Sequence, residues 1–158
     1  MIAALYVLLS LAVFPVASGA IQFRASEALT LMPILYAEAI PALAVGCAVS
    51  NLVTGCAAYD VIFGSLITLF AAICTFFVGK TFKNIWAKTT VGGIFPVIFN
   101  AFLLPVIWYY CYGELEYLYM VQVAFLLLGQ TAVIYILGVP LTVRTHKLKE
   151  KGLNFFQP

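Results

Sequence analysis

The sequence predicts an all-α membrane protein of six transmembrane helices with both termini cytoplasmic, and three observations lead there. The 158 residues are 65% hydrophobic and 9% charged, with a mean hydropathy of +1.09, a composition no water-soluble domain sustains. The charged residues leave long uncharged stretches at 1–23, 39–59, 61–79, 89–113 and 117–143, and a shorter one at 28–37. A helix needs roughly 20 apolar residues to cross the hydrocarbon core, so five of these suffice by length. Finally, seven of the eight lysines and arginines fall either between Lys80 and Lys88 or from Arg144 onward. These two places are separated by two crossings, and the positive-inside rule makes both cytoplasmic.

The first helix, at about 1–17, opens on apolar residues without the basic n-region of a signal peptide, so it is expected to stay in the membrane. The second, at 27–36, rises only about 15 Å as an α-helix. That length suffices if Glu27 sits below the outer surface in a polar cavity and Glu38 lies at the inner interface. Pro33 and Pro41 punctuate this piece and its successor. Counting it gives six spans and gathers Arg24, Glu27, Asp60, Glu114 and Glu116 at the outer face. Discounting it would move Arg24 and Glu27 to the inner side, and the six-span reading is preferred. Helix 3, at 39–53, carries small residues four apart at Ala42, Gly46 and Ser50, a spacing that permits close backbone approach. Helices at 60–80, 89–111 and 116–145 complete a single transmembrane domain over 1–145, and 146–158 forms a solvated cytoplasmic tail.

This composition excludes a nucleic-acid binder, a secreted disulfide scaffold and a soluble two-domain enzyme. Cys47, Cys56, Cys74 and Cys111 lack the close paired spacing of a metal site and read as small packing residues. Gly79, Lys80 and Thr81 imitate the end of a phosphate-binding loop, but position 74 is Cys and the segment leaves a transmembrane helix. His146, the only histidine, lies in the tail, so a membrane-embedded triad or histidine metal site is unavailable. No enzyme is expected, and no cofactor in this chain.

Polar groups within an apolar bundle mark where function resides, because charges near membrane depth are costly unless paired or facing a cavity. Arg24 and Glu27 form an ion pair that caps helix 2 with Ser26 as N-cap, or they contact a ligand; both hold if the pair also shapes a pocket. Asn100 and Gln130 lie at similar depth, about 20 Å below the outer charges by helix rise. Amides there are most simply interhelical hydrogen bonds. Asn51 and Asp60 flank one outer loop and favour ligand contact. Tyr59, Tyr109, Tyr110, Tyr112, Tyr117 and Tyr119 gather on the outer side with Trp108, Phe23 and Phe63. Most belong to an interfacial belt, while an inward subset would stack on a planar heterocycle.

The run from Gly19 through Gln22, Phe23, Arg24, Ala25, Ser26 and Glu27 to Thr30, with Gly46, Cys47, Asn51 and Leu52 and then Asp60 to Leu66, resembles the QueT family. Those proteins are substrate-binding S components of energy-coupling-factor (ECF) transporters, assigned to queuosine precursors. The resemblance runs from Ala3 to about Leu141. It implies a six-helix fold with an outward-facing pocket roofed by the loop after helix 1, in the cytoplasmic membrane of a bacterium. It also implies a transmembrane coupling protein and two cytoplasmic ATPases, which use the ATP, and substrate release by toppling of the subunit. Alanines four apart on helix 1 contact the coupling protein in such subunits; Ala4 matches one, and the other would precede Met1.

A 7-deazaguanine presents N1–H and 2-amino donors and a 6-oxo acceptor. On this reading Glu27 or Asp60 accepts from the donor edge and Arg24, Gln22, Asn51 or Asn100 satisfies the acceptors, with Gln130 deeper and Tyr59 or Trp108 stacking on the ring. Four outer acids against one base also suit a protonated aminomethyl substituent. The alternatives are an S component for another heterocycle or vitamin, an autonomous carrier, an intramembrane enzyme and a purely structural subunit. The apparent lack of an ionisable residue at midplane argues against a proton-coupled carrier.

Overall fold

A computed structural model of the chain describes residues 1–13, 23–113 and 118–152, with Tyr112 described by its backbone alone. The described residues form six helical units and no strand. Helix 1 is Ile2–Ala12, helix 2 is Ala25–Ile34 and helix 3 is Ala39–Val53. Helix 4 joins Asp60–Gly64 to Ser65–Thr81, helix 5 joins Ile85–Gly92 to Ile94–Tyr112, and helix 6 runs through Tyr119–Ala132, Val133–Gly138 and Val139–Glu150. Helices 4, 5 and 6 are long and apolar enough to cross a membrane, whereas helices 1 and 3 are apolar but shorter. Their exposed side chains, Phe70, Phe77, Leu128 and Ile136 among them, are those a lipid-facing surface requires.

The boundaries differ from expectation where local chemistry overrides the charge pattern. Helix 5 begins at Ile85 rather than 89, because Asn84 caps it by accepting a hydrogen bond from the Trp86 amide at 2.9 Å. It ends at Gly113, whose φ of 77° is the left-handed conformation that a glycine adopts without strain. Helix 6 continues to Glu150, so the first five residues of the expected tail are helical. Residues 14–17 of the expected first helix and 116 and 117 of the expected last lie outside the described residues.

Helix 2 departs most. It is a ten-residue 3₁₀ helix, which at about 2.0 Å per residue spans about 20 Å, against about 15 Å for an α-helix of that length. Every residue from Ser26 to Pro33 is buried, and helix 2 packs against all the other helices. A tight, narrow helix fits because glycines face it: a Cβ at Gly79 would lie 2.9 Å from Ile34 Cα, and one at Gly138 would lie 3.0 Å from the Ala28 carbonyl oxygen. The small-residue expectation for helix 3 has the same basis, since a Cβ at Gly46 would lie 2.9 Å from Tyr6 Cβ on helix 1.

Three buried clusters surround this central helix. Tyr6, Leu29, Met32, Leu43, Cys47 and Ala72 bind helices 1 to 4 together. Leu31, Val97, Ile134 and Val143 join helices 2, 5 and 6, and Ile67, Ala101, Leu104 and Leu126 close helices 4, 5 and 6. Helices 4 and 6 each contain a π-turn, at Asp60–Gly64 and Val133–Gly138, a local widening often found beside functional sites.

Candidate functional site

Glu27 is 3% exposed, and a carboxylate so placed requires donors. Tyr6 Oη on helix 1 donates to Glu27 Oε1 at 2.8 Å, and Asn100 Nδ2 on helix 5 donates to Glu27 Oε2 at 3.3 Å. The same amide nitrogen stands 3.5 Å from Gln130 Oε1 on helix 6. One turn along helix 1, Ser10 Oγ lies 2.8 Å from Ser26 Oγ and 2.9 Å from the Tyr6 carbonyl oxygen. Helices 1 and 5 thus donate directly to one acid on helix 2, and helix 6 joins through Asn100.

Arg24, Glu27, Cys47, Gly64, Thr68, Asn100, Leu104 and Gln130 line a small pocket. Its volume is about 10 Å³, room for about one water. A guanidinium, a carboxylate and two amides therefore share a nearly closed space with Cys47, Thr68 and Leu104 on the walls. Among the described residues Glu27 uses two of roughly four acceptor positions, on Tyr6 and Asn100, which leaves lone pairs that a bound donor could use.

A second polar group adjoins the first. Asn51 Nδ2 donates to the Asp60 carbonyl oxygen at 2.9 Å, and Trp108 Nε1 donates to Asp60 Oδ1 at 2.9 Å. Gly64 links the two groups: it lines the pocket, and a Cβ there would lie 3.2 Å from Asn51 Nδ2. The π-turn at Asp60–Gly64 puts Asp60 and Gly64 at either end of one widened turn beside Asn51.

Of the residues singled out from sequence, Arg24, Glu27, Asn100 and Gln130 meet at the pocket, and Asn51, Asp60 and Trp108 form the adjoining group. Tyr59 is exposed and is not among the pocket's lining residues, as are Tyr109 and Tyr110, which suit the interfacial belt. Gln22, Glu114, Glu116 and Tyr117 lie outside the described residues. The expected Arg24–Glu27 ion pair does not form: the one ion pair within 4 Å among the described residues is His146–Glu150. The Glu27 carboxylate is taken up by Tyr6 and Asn100 instead. Nor is Ser26 the N-cap, since Arg24 holds that position without a side-chain cap and Ser26 lies inside the helix, bonded to Ser10.

Glu27 lies at the depth of Asn100, deeper than the outer-face group in which the charge pattern gathers it. Asn100 stands about 22 Å from the Ile85 end of helix 5 and about 18 Å from the Tyr112 end by helix rise, and Glu27 is bonded to it. Tyr6 was the residue the sequence reading missed. The sign of it was a tyrosine followed at i+4 by Ser10, two polar groups on one face of an otherwise apolar helix.

These features define a helical membrane protein that encloses a polar pocket at the middle of its bundle. The family model of the QueT transporter matches residues 1–147, and the chain belongs to that family. It is accordingly a membrane transporter for a small molecule rather than an enzyme. No curated protein and no solved structure matches it.

Proposed function

We propose that this chain is the S component of an ECF importer, capturing a queuosine precursor from outside the cell. The observation that supports this reading is the buried Glu27 carboxylate, set between Tyr6, Asn100 and Arg24 in one pocket. Glu27 accepts from the N1–H and 2-amino edge of a 7-deazaguanine, and Arg24 or an amide donates to its 6-oxo group. Trp108, tied to Asp60 in the group adjoining the pocket, would flank the ring once the ligand is bound. A protonated aminomethyl substituent would gain further from Glu27 and Asp60.

In this role the chain holds no cofactor, and ATP is used by two cytoplasmic ATPases acting through a transmembrane coupling protein. Ala4, Leu8, Leu11 and Ala12 form an exposed stripe on helix 1, which suits helix-to-helix docking on that protein. The distribution of Lys and Arg supports six spans with both termini cytoplasmic, and membership of the QueT family supports a bacterial cytoplasmic membrane.

The test is titration of the detergent-purified chain with queuine, its nitrile precursor and its aminomethyl precursor, with guanine as control. One 7-deazaguanine should bind saturably at sub-micromolar concentration with guanine rejected. Glu27→Gln should weaken it about ten-fold or more, because hydrogen bonds to a charged acceptor contribute about 1.5–3 kcal/mol. Unchanged affinity in that variant would sink the assignment of Glu27.

A second reading draws on the depth of Glu27, since an acid in mid-bundle suits a proton-coupled carrier. Uptake by the chain alone in ATP-free proteoliposomes would establish the carrier, and its absence would favour the subunit.

A further inference from the structure

At the bundle end opposite the loop joining helices 3 and 4, the last turns of helix 6 lie against the C-terminal end of helix 2 and the first turns of helix 5. Ile34, Leu35, Lys88, His146, Lys149 and Glu150 line an open cleft of about 310 Å³ between them. Lys149 Nζ donates to the Leu35 carbonyl oxygen at 2.8 Å and sits 4.3 Å from the centre of the Tyr36 ring. The ammonium is therefore fixed by neutral acceptors alone, with two of its three donors remaining.

No carboxylate lies within 4 Å of Lys149 or Lys88 among the described residues, and the one acid on the cleft, Glu150, is held by His146 at 3.4 Å. Two cations without an ion-pair partner among the described residues thus face one space. Trp86, 56% exposed two residues before Lys88, marks the level where a membrane-facing indole settles, among the head groups. Lys80, Lys83, Arg144, Lys147 and Lys151 lie at the helix ends on this side, with Glu38 and Glu150 as the acids there among the described residues.

We propose that this cleft binds the phosphate of an anionic phospholipid from the adjoining leaflet. Lys88 and Lys149 contact the phosphate oxygens, and Ile34 and Leu35 supply an apolar wall for the adjacent glycerol and first acyl carbons. Fixing Lys149 on the end of helix 2 lowers the side-chain entropy lost on binding. Basic pockets between transmembrane helices at head-group depth suit such lipids.

The experiment uses the full chain, delipidated in neutral detergent, with phosphatidylglycerol, phosphatidylcholine and inorganic phosphate as separate titrants. Bound lipid is counted by native mass spectrometry and the melting temperature is recorded. Phosphatidylglycerol should bind saturably and raise the melting temperature, and phosphatidylcholine should do neither. Lys88→Gln, at a side chain with no hydrogen bond or ion pair among the described residues, should weaken phosphatidylglycerol about five-fold, and Lys149→Gln should do at least as much. Lys147→Gln, outside the cleft, should stay within about two-fold of the parent chain. Equal retention by Lys88→Gln and the parent chain would overturn the site. Protection by inorganic phosphate at the concentrations where the lipid acts would overturn its assignment to a lipid.

Discussion

Burying a carboxylate at Glu27 costs free energy that only well-placed donors recover, and the two that do so come from helices 1 and 5. Tyr6 Oη is the shorter contact, at 2.8 Å. Tyr6→Phe keeps the ring packed against Gly46 and removes only that donor. It should lower stability by about 1.5–3 kcal/mol, the worth of a hydrogen bond to a charged group, read as a fall in melting temperature of the purified protein. Glu27→Gln removes the charge that the phenol serves, so the double variant should lose clearly less than the sum of the two single losses. Strict additivity would show that the two groups do not act on one another. Glu27, Asn100 and Gln130 were legible as residues, because polar groups in an apolar stretch stand out. Their mutual bonding was not, since sequence supplies depth along each helix but not which face turns inward. Asn100 and Gln130 at similar depth was therefore the most that could be read, and Tyr6 stayed hidden because a tyrosine in a membrane helix is commonplace.

Helix 2 shows where element-scale reading stops. The uncharged stretch 28–37 is too short for an α-helical span, and the rise of a 3₁₀ helix, with burial of every residue from Ser26 to Pro33, shows how a short piece occupies the bundle. No residue pattern announces a long 3₁₀ helix, because it is imposed by neighbours that approach closely. That account ranks glycine substitutions. Gly79→Ala and Gly138→Ala would press a Cβ on the backbone of helix 2, at Ile34 Cα and the Ala28 oxygen, and should cost about 1–3 kcal/mol. For Gly92→Ala the three nearest atoms are all in side chains, Ile34 Cδ1 at 3.2 Å, Thr75 Cγ2 at 3.3 Å and Ile34 Cγ1 at 3.8 Å. It also gains helix propensity of up to about 1 kcal/mol, so it should be close to neutral. Thermal unfolding of the three variants checks this order, and a Gly92→Ala loss as large as the other two would remove the case for a glycine-lined seat.

For the whole molecule the decisive quantity is the size of the pocket. Sites for small molecules commonly measure about 300–1,000 Å³, and the space between Arg24, Glu27 and Gln130 measures about 10 Å³. On the proposed reading, a bicyclic heterocycle would enter only after those walls separate, which would make opening of the bundle a step in binding. The hydrogen bonds resisting that step join helices 1, 2, 5 and 6, while the helix 4 wall at Gly64 and Thr68 makes no bond to Glu27 among the described residues. Separation of helix 4 from helix 5 at their Asp60 and Trp108 ends alone, with the Thr75–Gly92 bond at the other end kept, breaks the Asp60–Trp108 bond and leaves the carboxylate with its donors. A gate of this kind has a kinetic signature. In stopped-flow mixing, the observed rate of ligand binding should level off at high ligand concentration, at the rate of opening. Trp108→Phe removes the bond that spans the gate and should raise that plateau. A rate that climbs linearly to the highest concentration, in both the parent chain and the variant, would mean that the pocket is already open in solution.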